Sequence, residues 1–330
     1  MDSDYLQNLR YKLQKRVRRL NSADHTIFPV LLKQWWGFLQ QNSFFQGLKD
    51  KLASDAERVN HEVQSMLQSP YVQHLPGFDD ELSHVLMSYI VLKACAQQPD
   101  QTQNIVLKFR GLAHGSNKVN DTLDAFREIF LEPFYDYLDE GLDDAAAVLG
   151  YLKRYKHRCE WFRREELYNL WTSDSKRGEK HLALDLYEYL FEQGIDFSIE
   201  PTSASGEADL VSSQQGENRL IADAKIFNPE KGKDKSYLIS GFNQIYSYTR
   251  DFNESVGYLI IFKTCGADLR VAVSESTSHI PFITHNNKVI FLLVIDIFPY
   301  EESASKRGAL KTIEITEADF VQLMAGLGEE

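Results

Sequence analysis

The sequence predicts an α+β protein, in which an all-α N-terminal domain is followed by an α/β domain with a mixed central sheet. In the first half of the chain, apolar residues recur with a period close to 3.6. After about Trp171, short runs rich in β-branched and aromatic residues alternate with turn residues. The 330 residues, 43% of them hydrophobic, are enough for two domains with substantial cores. We place the domains at 1–171 and 172–330.

Four amphipathic segments support the helical prediction for the first domain. They are DYLQNLRYKLQKRVRRL, FPVLLKQWWGFLQ, ELSHVLMSYIVLKACA and TLDAFREIFLEPFYDYL. In the first segment, Leu6, Leu9 and Leu13 share one helical face. Prolines and breaks containing Asn or Gly separate the segments. In the second segment, Trp35 and Trp36 could stack on bases, but core packing is favoured for at least one of them.

Seven strand-like runs form the second domain, after a helix predicted from about Gly178 to Gln193. The runs are DFSIEP, EADLVSS, RLIADAKIF, GYLIIFK, LRVAVSE, KVIFLLVIDIF and LKTIEIT. A further helix, from about Tyr237 to Phe252, separates the third run from the fourth. The order α-β-β-β-α-β predicts a mixed sheet flanked by helices, with one β-hairpin near its start.

Charge is unevenly distributed along this acidic chain. The formal net charge of −12 argues against nucleic-acid binding by the whole surface. However, RYKLQKRVRR and KRYKHRCEWFRR each contain six Lys and Arg residues, which can contact phosphates. The candidate contacts are Arg16, Arg18, Arg19, Lys153 and Arg154. The alternative is that each segment is only the solvated face of an amphipathic helix.

Cysteine content and hydropathy favour a cytoplasmic protein without a membrane partner. The three cysteines are widely spaced and suggest neither a disulfide framework nor a zinc site. No N-terminal apolar segment has the pattern of a signal peptide. The strongest apolar run, VIFLLVIDIF, contains Asp296 and is too short to cross a bilayer.

Charged residues interrupt the apolar hairpin GEADLVSSQQGENRLIADAK. If the hairpin is symmetric about Gly216, Asp209 faces Asp223 and Glu207 faces Lys225, with opposed Cβ atoms about 4.5–5.5 Å apart. Asp223 and Lys225 then share one face of their strand. Two carboxylates at that separation repel each other unless a partner is present, and a hard divalent cation such as Mg²⁺ would stabilise them.

A glutamate on the preceding helix extends this set. Glu179 lies on the apolar stripe that contains Leu182 and Leu186, so its carboxylate can reach the edge of the sheet. Asp185 and Glu188 point away from that stripe. The alternative role for Glu179 is to complement the helix dipole.

This order of residues resembles the PD-(D/E)XK nuclease superfamily, which has the restriction-endonuclease-like fold. The resemblance covers about 179–296. The family's helix glutamate, strand aspartate and D/E-x-K motif correspond to Glu179, Asp209 and Asp223-Ala224-Lys225. Ala208 stands where the family pattern has a proline, so one supporting residue is missing.

The following helix adds a second motif. Gln244 and Tyr248, four residues apart on one helical face, resemble the Q-x-x-x-Y of exonuclease-type members. Together with Glu207, they are expected to support the site rather than perform its chemistry.

The resemblance implies Mg²⁺-dependent hydrolysis of phosphodiester bonds, with Mn²⁺ able to substitute. Asp209, Asp223, Glu179 and the backbone carbonyl of Ala224 would hold the metal. Lys225 would orient the attacking water or stabilise transition-state charge.

Chains of this layout often serve in bacterial restriction or anti-phage defence, beside a separately encoded ATPase or helicase. The resemblance favours DNA over RNA and leaves a homo-oligomer open. A competing interpretation is a nucleic-acid-binding or scaffolding protein on an inactive nuclease fold, with Asp223 and Lys225 in structural ion pairs.

Overall fold

The computed structural model describes residues 5–113, 118–174, 177–195, 198–199, 202–203, 206–207, 210–211, 220–273, 280–302, 306 and 308–325. These residues form two compact units. One is Leu6–Asp143, and the other comprises Tyr5 and the described residues from Asp144 onward. The predicted α+β class is confirmed. The division, however, falls after Asp143 and not at the predicted 171/172, because the helices from Asp144 onward belong with the sheet.

The first unit is helical. Its helices are α1 (Tyr5–Asn21), α2 (Phe28–Gln41), α3 (Ser43–Asp55), α4 (Glu57–Gln68), α5 (Glu81–Gln97), α6 (Pro99–Lys108), α7 (Val119–Phe126) and the first part of α8 (Glu132–Trp161). Helix α5 begins at a side-chain cap, since Asp80 accepts a hydrogen bond from the Ser83 N–H. Its middle is buried on all sides, as expected for a helix that is apolar around its whole circumference.

Aromatic side chains form much of the core of this unit. Trp36 stacks on Phe134 with ring centroids 5.9 Å apart and lies at the same distance from Tyr89. Trp35 meets Phe134 edge-on at 5.7 Å. Both tryptophans are buried, which confirms the expectation of core packing.

A lysine is buried beside these rings. Lys49 in α3 is only 3% exposed, and its ammonium lies 4.7 Å from the Trp36 ring centroid. Burial lowers the pKa of Lys49 to about 8, because the charged form loses hydration. The unfolded chain has an ordinary lysine pKa near 10.5 and therefore binds more protons than the folded chain between these two values.

We expect Lys49→Met to raise the free energy of unfolding by about 2–3 kcal/mol at pH 7. Below the folded pKa the wild type bears the full cost of the buried charge, and this cost falls as the pH rises through 8 toward 10.5. The gain should therefore nearly vanish near pH 10.5. Urea unfolding at both pH values measures it, with the exposed Lys33→Met as the control. A gain of equal size at both pH values would contradict this account.

The second unit contains the remainder of α8 and the sheet. Its further helices are α9 (Arg164–Ser173), α10 (Gly178–Glu192), α11 (Lys235–Asp251) and α12 (Glu317–Ala325). Its strands are β1 (Ser198–Ile199), β2 (Thr202–Ser203), β3 (Gly206–Glu207), β4 (Leu210–Val211), β5 (Ile221–Phe227), β6 (Val256–Lys263), β7 (Asp268–Ala272), β8 (Phe282–His285), β9 (Lys288–Asp296) and β10 (Thr312–Thr316).

The main sheet is mixed, as predicted. Its order is β1-β4-β5-β6-β9-β8. The central strands β5, β6 and β9 are parallel, and β4 and β8 run antiparallel to their neighbours. Strands β5 and β6 are almost entirely buried, as is typical of parallel strands covered on both faces. Two smaller pairs, β2–β3 and β7–β10, lie outside this sheet.

The hairpin register is the one expected from a turn centred on Gly216. Leu210 pairs with Ala222 and Val211 with Ile221, positions that are symmetric about that glycine. Asp209 lies outside the described residues, so its pairing with Asp223 stays a prediction.

Glu207 lies opposite Thr202 in the β2–β3 pair, which uses one side of its strand. Residues 208–209, which connect β3 to β4, lie outside the described residues. The predicted pairing of Glu207 with Lys225 therefore stays a prediction.

Strand β8 was not predicted from the sequence, and its last residue is His285. The two asparagines that follow, Asn286 and Asn287, have φ values of 44° and 63°. Two successive left-handed residues are typical of a type I′ hairpin turn, which joins β8 to β9.

Candidate active site

Strand β5 carries two charged side chains through a buried sheet. Asp223 and Lys225 have side chains 0% and 11% exposed, and Lys225 Nζ lies 2.7 Å from an Asp223 carboxylate oxygen. Side chains alternate along a strand, so residues two apart point to the same face. The prediction that Asp223 and Lys225 share a face is therefore confirmed.

Glu179 reaches this strand from the first turn of α10. One of its carboxylate oxygens accepts a hydrogen bond from the Ile226 N–H at 3.0 Å, and the other accepts one from the Tyr237 hydroxyl at 2.5 Å. The described pairing of β4 with β5 involves only Ile221 and Ala222, so Glu179 satisfies a backbone donor farther along the same strand. The prediction that Glu179 turns toward the sheet is confirmed, and its contact is with strand β5.

The backbone of β5 places the Ala224 carbonyl at the edge of β5 that Glu179 contacts. Alternate residues of a strand direct their N–H and C=O groups to the same side, and Ile226 directs its N–H to Glu179. Ala224 therefore presents its carbonyl oxygen to the edge at which Glu179 lies. Asp223, one residue earlier, directs its backbone to β6, where it is in register with Leu259.

One face of α11 covers the site. Tyr237, Gly241, Gln244 and Tyr248 recur at helical spacing on that face. A Cβ atom on Gly241 would lie 2.8 Å from Cγ of Lys225, so only glycine lets the lysine stem pass this closely. One turn farther on, the Gln244 amide donates a hydrogen bond to the Tyr248 hydroxyl at 2.5 Å.

Tyr237 and the loop after β5 were missed by the sequence analysis. In that loop the Lys233 ammonium lies 3.7 Å from the Tyr237 ring centroid, and the Lys231 ammonium lies 4.3 Å from that of Trp171. Lys231 is exposed and Lys233 is half-buried. The sequence feature that could have indicated this loop is the lysine-rich segment NPEKGKDK, directly after the strand that carries D-x-K.

The donors at the edge of β5 fit a hard divalent cation. The carboxylates of Asp223 and Glu179 and the carbonyl of Ala224 are oxygen ligands of the kind that Mg²⁺ prefers. Within the described ranges, no group of three or more His, Cys, Asp or Glu side chains is placed to hold a metal ion. Asp209, the remaining predicted ligand, lies outside those ranges.

The first basic segment lies on α1. The Arg16 guanidinium lies 3.9 Å from the Phe38 ring centroid and is half-buried, whereas Arg18 and Arg19 are exposed. Arg10 forms ion pairs with Asp139 and Asp143. Contacts of Arg16, Arg18 and Arg19 with phosphates stay a prediction. The same holds for the half-buried Lys153 and the exposed Arg154 of the second segment.

Part of the second basic segment, KRYKHRCEWFRR, forms hydrogen bonds with the backbone at the end of β9 and just beyond it. Among the described residues, strand β8 pairs with β9 as far as Phe291, and the Leu292 N–H donates a hydrogen bond to the Pro281 carbonyl. Beyond that point Lys156 donates a hydrogen bond to the Val294 carbonyl, Glu160 accepts one from the Asp296 N–H at 2.9 Å, and Arg164 donates one to the Phe298 carbonyl at 3.1 Å. Lys156 and Glu160, four residues apart, lie on one side of α8, and Arg164 is the first residue of α9.

Asp185, predicted to point away from the apolar stripe of α10, is nevertheless buried. Its carboxylate accepts a hydrogen bond from the Tyr155 hydroxyl at 2.8 Å and pairs with Arg163. Burial raises the pKa of Tyr155 well above its ordinary value. Residues of α8 and of the turn before α9 therefore cover the side of α10 opposite its apolar stripe.

The chain matches no protein-family model, no curated protein and no solved structure. Among the helices of the described residues, none has the length and apolar composition needed to cross a membrane.

Proposed function

We propose that this chain is a metal-dependent nuclease that hydrolyses phosphodiester bonds of nucleic acids, with DNA favoured over RNA. The observation that supports this most directly is the convergence of Asp223, Lys225 and Glu179 on one strand edge. A buried carboxylate, an ammonium and a second, hydrogen-bonded carboxylate are the groups that the resemblance to PD-(D/E)XK nucleases requires.

The site residues have two roles, metal ligation and stabilisation of transition-state charge. Asp223, Glu179 and the Ala224 carbonyl would hold Mg²⁺, with Asp209 as a further ligand. The bound ion would polarise the scissile phosphate and lower the pKa of a water molecule. Lys225 holds its positive charge 2.7 Å from Asp223, where it can orient the attacking water and stabilise the negative charge that develops in the transition state.

The groups around this set act by positioning it. The Ile226 N–H and the Tyr237 hydroxyl hold the two oxygens of Glu179. Gly241 leaves room for the Lys225 stem. The ammonium groups of Lys231 and Lys233 add positive charge in the loop after β5, which suits a polyanionic substrate.

Cleavage of single- and double-stranded DNA and RNA, with Mg²⁺ and with EDTA, tests the proposal. We expect fragments in Mg²⁺ and intact substrates in EDTA, with Mn²⁺ able to replace Mg²⁺. Binding without cleavage of any of the four substrates would favour the competing interpretation, a nucleic-acid-binding or scaffolding protein on an inactive fold.

Metal binding can be measured without turnover. A ligand at about 100 times its dissociation constant stabilises a protein by about 2.7 kcal/mol, so Mg²⁺ or Mn²⁺ should raise the melting temperature of the wild type by several degrees. Asp223→Asn and Asp209→Asn should each lose most of this increase. The control is Glu188→Gln, which alters an exposed residue of α10. Equal increases in all four proteins would show that the cation binds elsewhere.

The resemblance also suggests where such an enzyme acts. We place it in a bacterial cytoplasm, where the buried free thiols of Cys95, Cys159 and Cys265 stay reduced. A role in anti-phage defence beside a separately encoded ATPase or helicase follows from the same resemblance.

A further inference from the structure

Two adjacent aromatic side chains project from the end of α8. Trp161 is 74% exposed and Phe162 is 77% exposed. The three other tryptophans, Trp35, Trp36 and Trp171, are buried. Adjacent large aromatic side chains that are exposed to solvent are typical of a binding surface.

A third ring and several cations complete this surface. The His157 ring centroid lies 5.7 Å from that of Trp161 and 5.8 Å from that of Phe162, so the three rings form one cluster. Arg154, one turn earlier, is exposed, and Arg158 is half-buried. We call His157, Trp161, Phe162, Arg154 and Arg158 the aromatic platform.

Two of the three acids nearest to the platform in sequence are engaged elsewhere, and the third, Glu165, is exposed on α9. Glu160 accepts hydrogen bonds from Lys156 and from the Asp296 N–H, and therefore faces the sheet. Glu166 is paired with Arg163. The platform thus combines exposed rings with positive charge, which is complementary to a polyanion that carries flat bases.

We propose that the aromatic platform stacks the unpaired bases of a single-stranded nucleic acid, and thereby directs a single strand to the site on β5. This inference rests on the proposed nuclease function. Each base stacked on an aromatic side chain strengthens binding by about tenfold or more, and stacking tolerates any sequence because every base has a flat face. Bases in a duplex are already stacked on one another, so the platform discriminates against double strands.

The position of the platform fits this role. The Arg158 guanidinium lies 5.4 Å from the Tyr189 ring centroid on α10. Tyr189 is ten residues beyond Glu179 on that helix, which corresponds to about 15 Å along its axis. A single strand of a few nucleotides is long enough to connect the platform to the edge of β5.

Binding to fluorescein-labelled oligothymidine of about 20 residues, in EDTA to prevent cleavage, tests the proposal. We expect the wild type to bind it more tightly than a blunt duplex of equal length, with quenching of tryptophan emission, since Trp161 is the exposed tryptophan. The double variant Trp161→Ala/Phe162→Ala should bind oligothymidine at least about tenfold more weakly and bind the duplex unchanged. The slope of log affinity against log salt should stay the same, because no phosphate contact is removed.

Two further variants separate stacking from other effects. Trp161→Phe should keep most of the affinity but lose the quenching. Tyr71→Ala removes an exposed aromatic side chain that lies outside both basic segments and should change neither. Circular dichroism and melting curves check that the double variant is folded, as expected when only exposed side chains are removed.

Several outcomes would overturn the proposal. Wild-type affinity of the double variant for oligothymidine, or an equal loss of affinity for the duplex, would each do so. If the wild type self-associates in sedimentation and the double variant does not, with no change in oligothymidine binding, the platform is a contact between copies of the chain. Because binding is measured without metal, its result does not depend on cleavage. Single-strand binding without Mg²⁺-dependent cleavage would contradict the nuclease function alone. Cleavage without a preference for single strands would contradict the aromatic platform alone.

Discussion

Lys225→Met should reduce Mg²⁺-dependent cleavage by about 10²–10³-fold, the usual cost of removing one group that stabilises transition-state charge. Methionine keeps an unbranched apolar stem beside Gly241 but loses the ammonium. Asp223→Asn should reduce the cleavage rate by at least as much, because it removes a charged oxygen ligand of the metal. Initial rates per folded molecule, measured at saturating Mg²⁺, provide the comparison. Cleavage by either variant at the wild-type rate would eliminate the assigned site.

A second buried lysine in the same unit provides a matched control. Lys263, at the end of β6, lies 3.1 Å from Asp296 with a side chain 4% exposed. Lys263→Met should lower the free energy of unfolding by a few kcal/mol, since it leaves charge poorly compensated in the interior. It should leave the cleavage rate per folded molecule unchanged.

Stability and cleavage, measured together, separate the nuclease from the competing structural role of the pair. If Asp223 and Lys225 form only a structural ion pair, each single variant is destabilised and no cleavage exists to lose. The double variant Asp223→Asn/Lys225→Met then recovers stability, because neither buried charge remains. If the pair serves chemistry, the double variant is folded but inactive, whereas the wild type cleaves.

Gly241→Ala should reduce cleavage by about 10²-fold without unfolding the protein. The new methyl group would lie 2.8 Å from Cγ and 3.0 Å from Cε of Lys225, so the ammonium must move. A displacement of about 1 Å at a reacting group commonly costs a factor of this size. Rates and urea unfolding are measured on the same preparations.

Gly150→Ala is the matched control for this substitution. Gly150 also lies inside a helix of the same unit, but a Cβ there meets no atom within 4 Å in the described structure. Alanine should stabilise it by about 0.5–1 kcal/mol through helix propensity and leave cleavage unchanged. If Gly241→Ala cleaves like the wild type, the lysine relaxes freely and α11 does not position it.

Local patterns predicted much of the site. The turn symmetric about Gly216 was enough to place Leu210 opposite Ala222, because a short hairpin sets its own register. Helical periodicity was enough to turn Glu179 toward the sheet. Both inferences involve neighbours in sequence, for which backbone geometry decides the outcome.

Features that depend on distant packing were not predictable in this way. The 30-residue helix α8 passes the division at Asp143 without a compositional break. The polar side of α10 that carries Asp185 has the pattern of a solvated surface, but Tyr155 and Arg163, which are distant in sequence, cover it. The exposure of Trp161 was equally hidden, because a tryptophan in an amphipathic helix is usually buried.

The hydrogen bonds that join Lys156, Glu160 and Arg164 to the backbone of Val294, Asp296 and Phe298 should also protect the chain against aggregation. An uncovered strand edge is a template on which another chain can add a strand, and these three side chains occupy backbone groups at that edge. Neutralising the whole basic segment to weaken nucleic-acid binding would therefore expose the edge and produce insoluble protein. Charge substitutions that leave these three residues intact avoid this artefact.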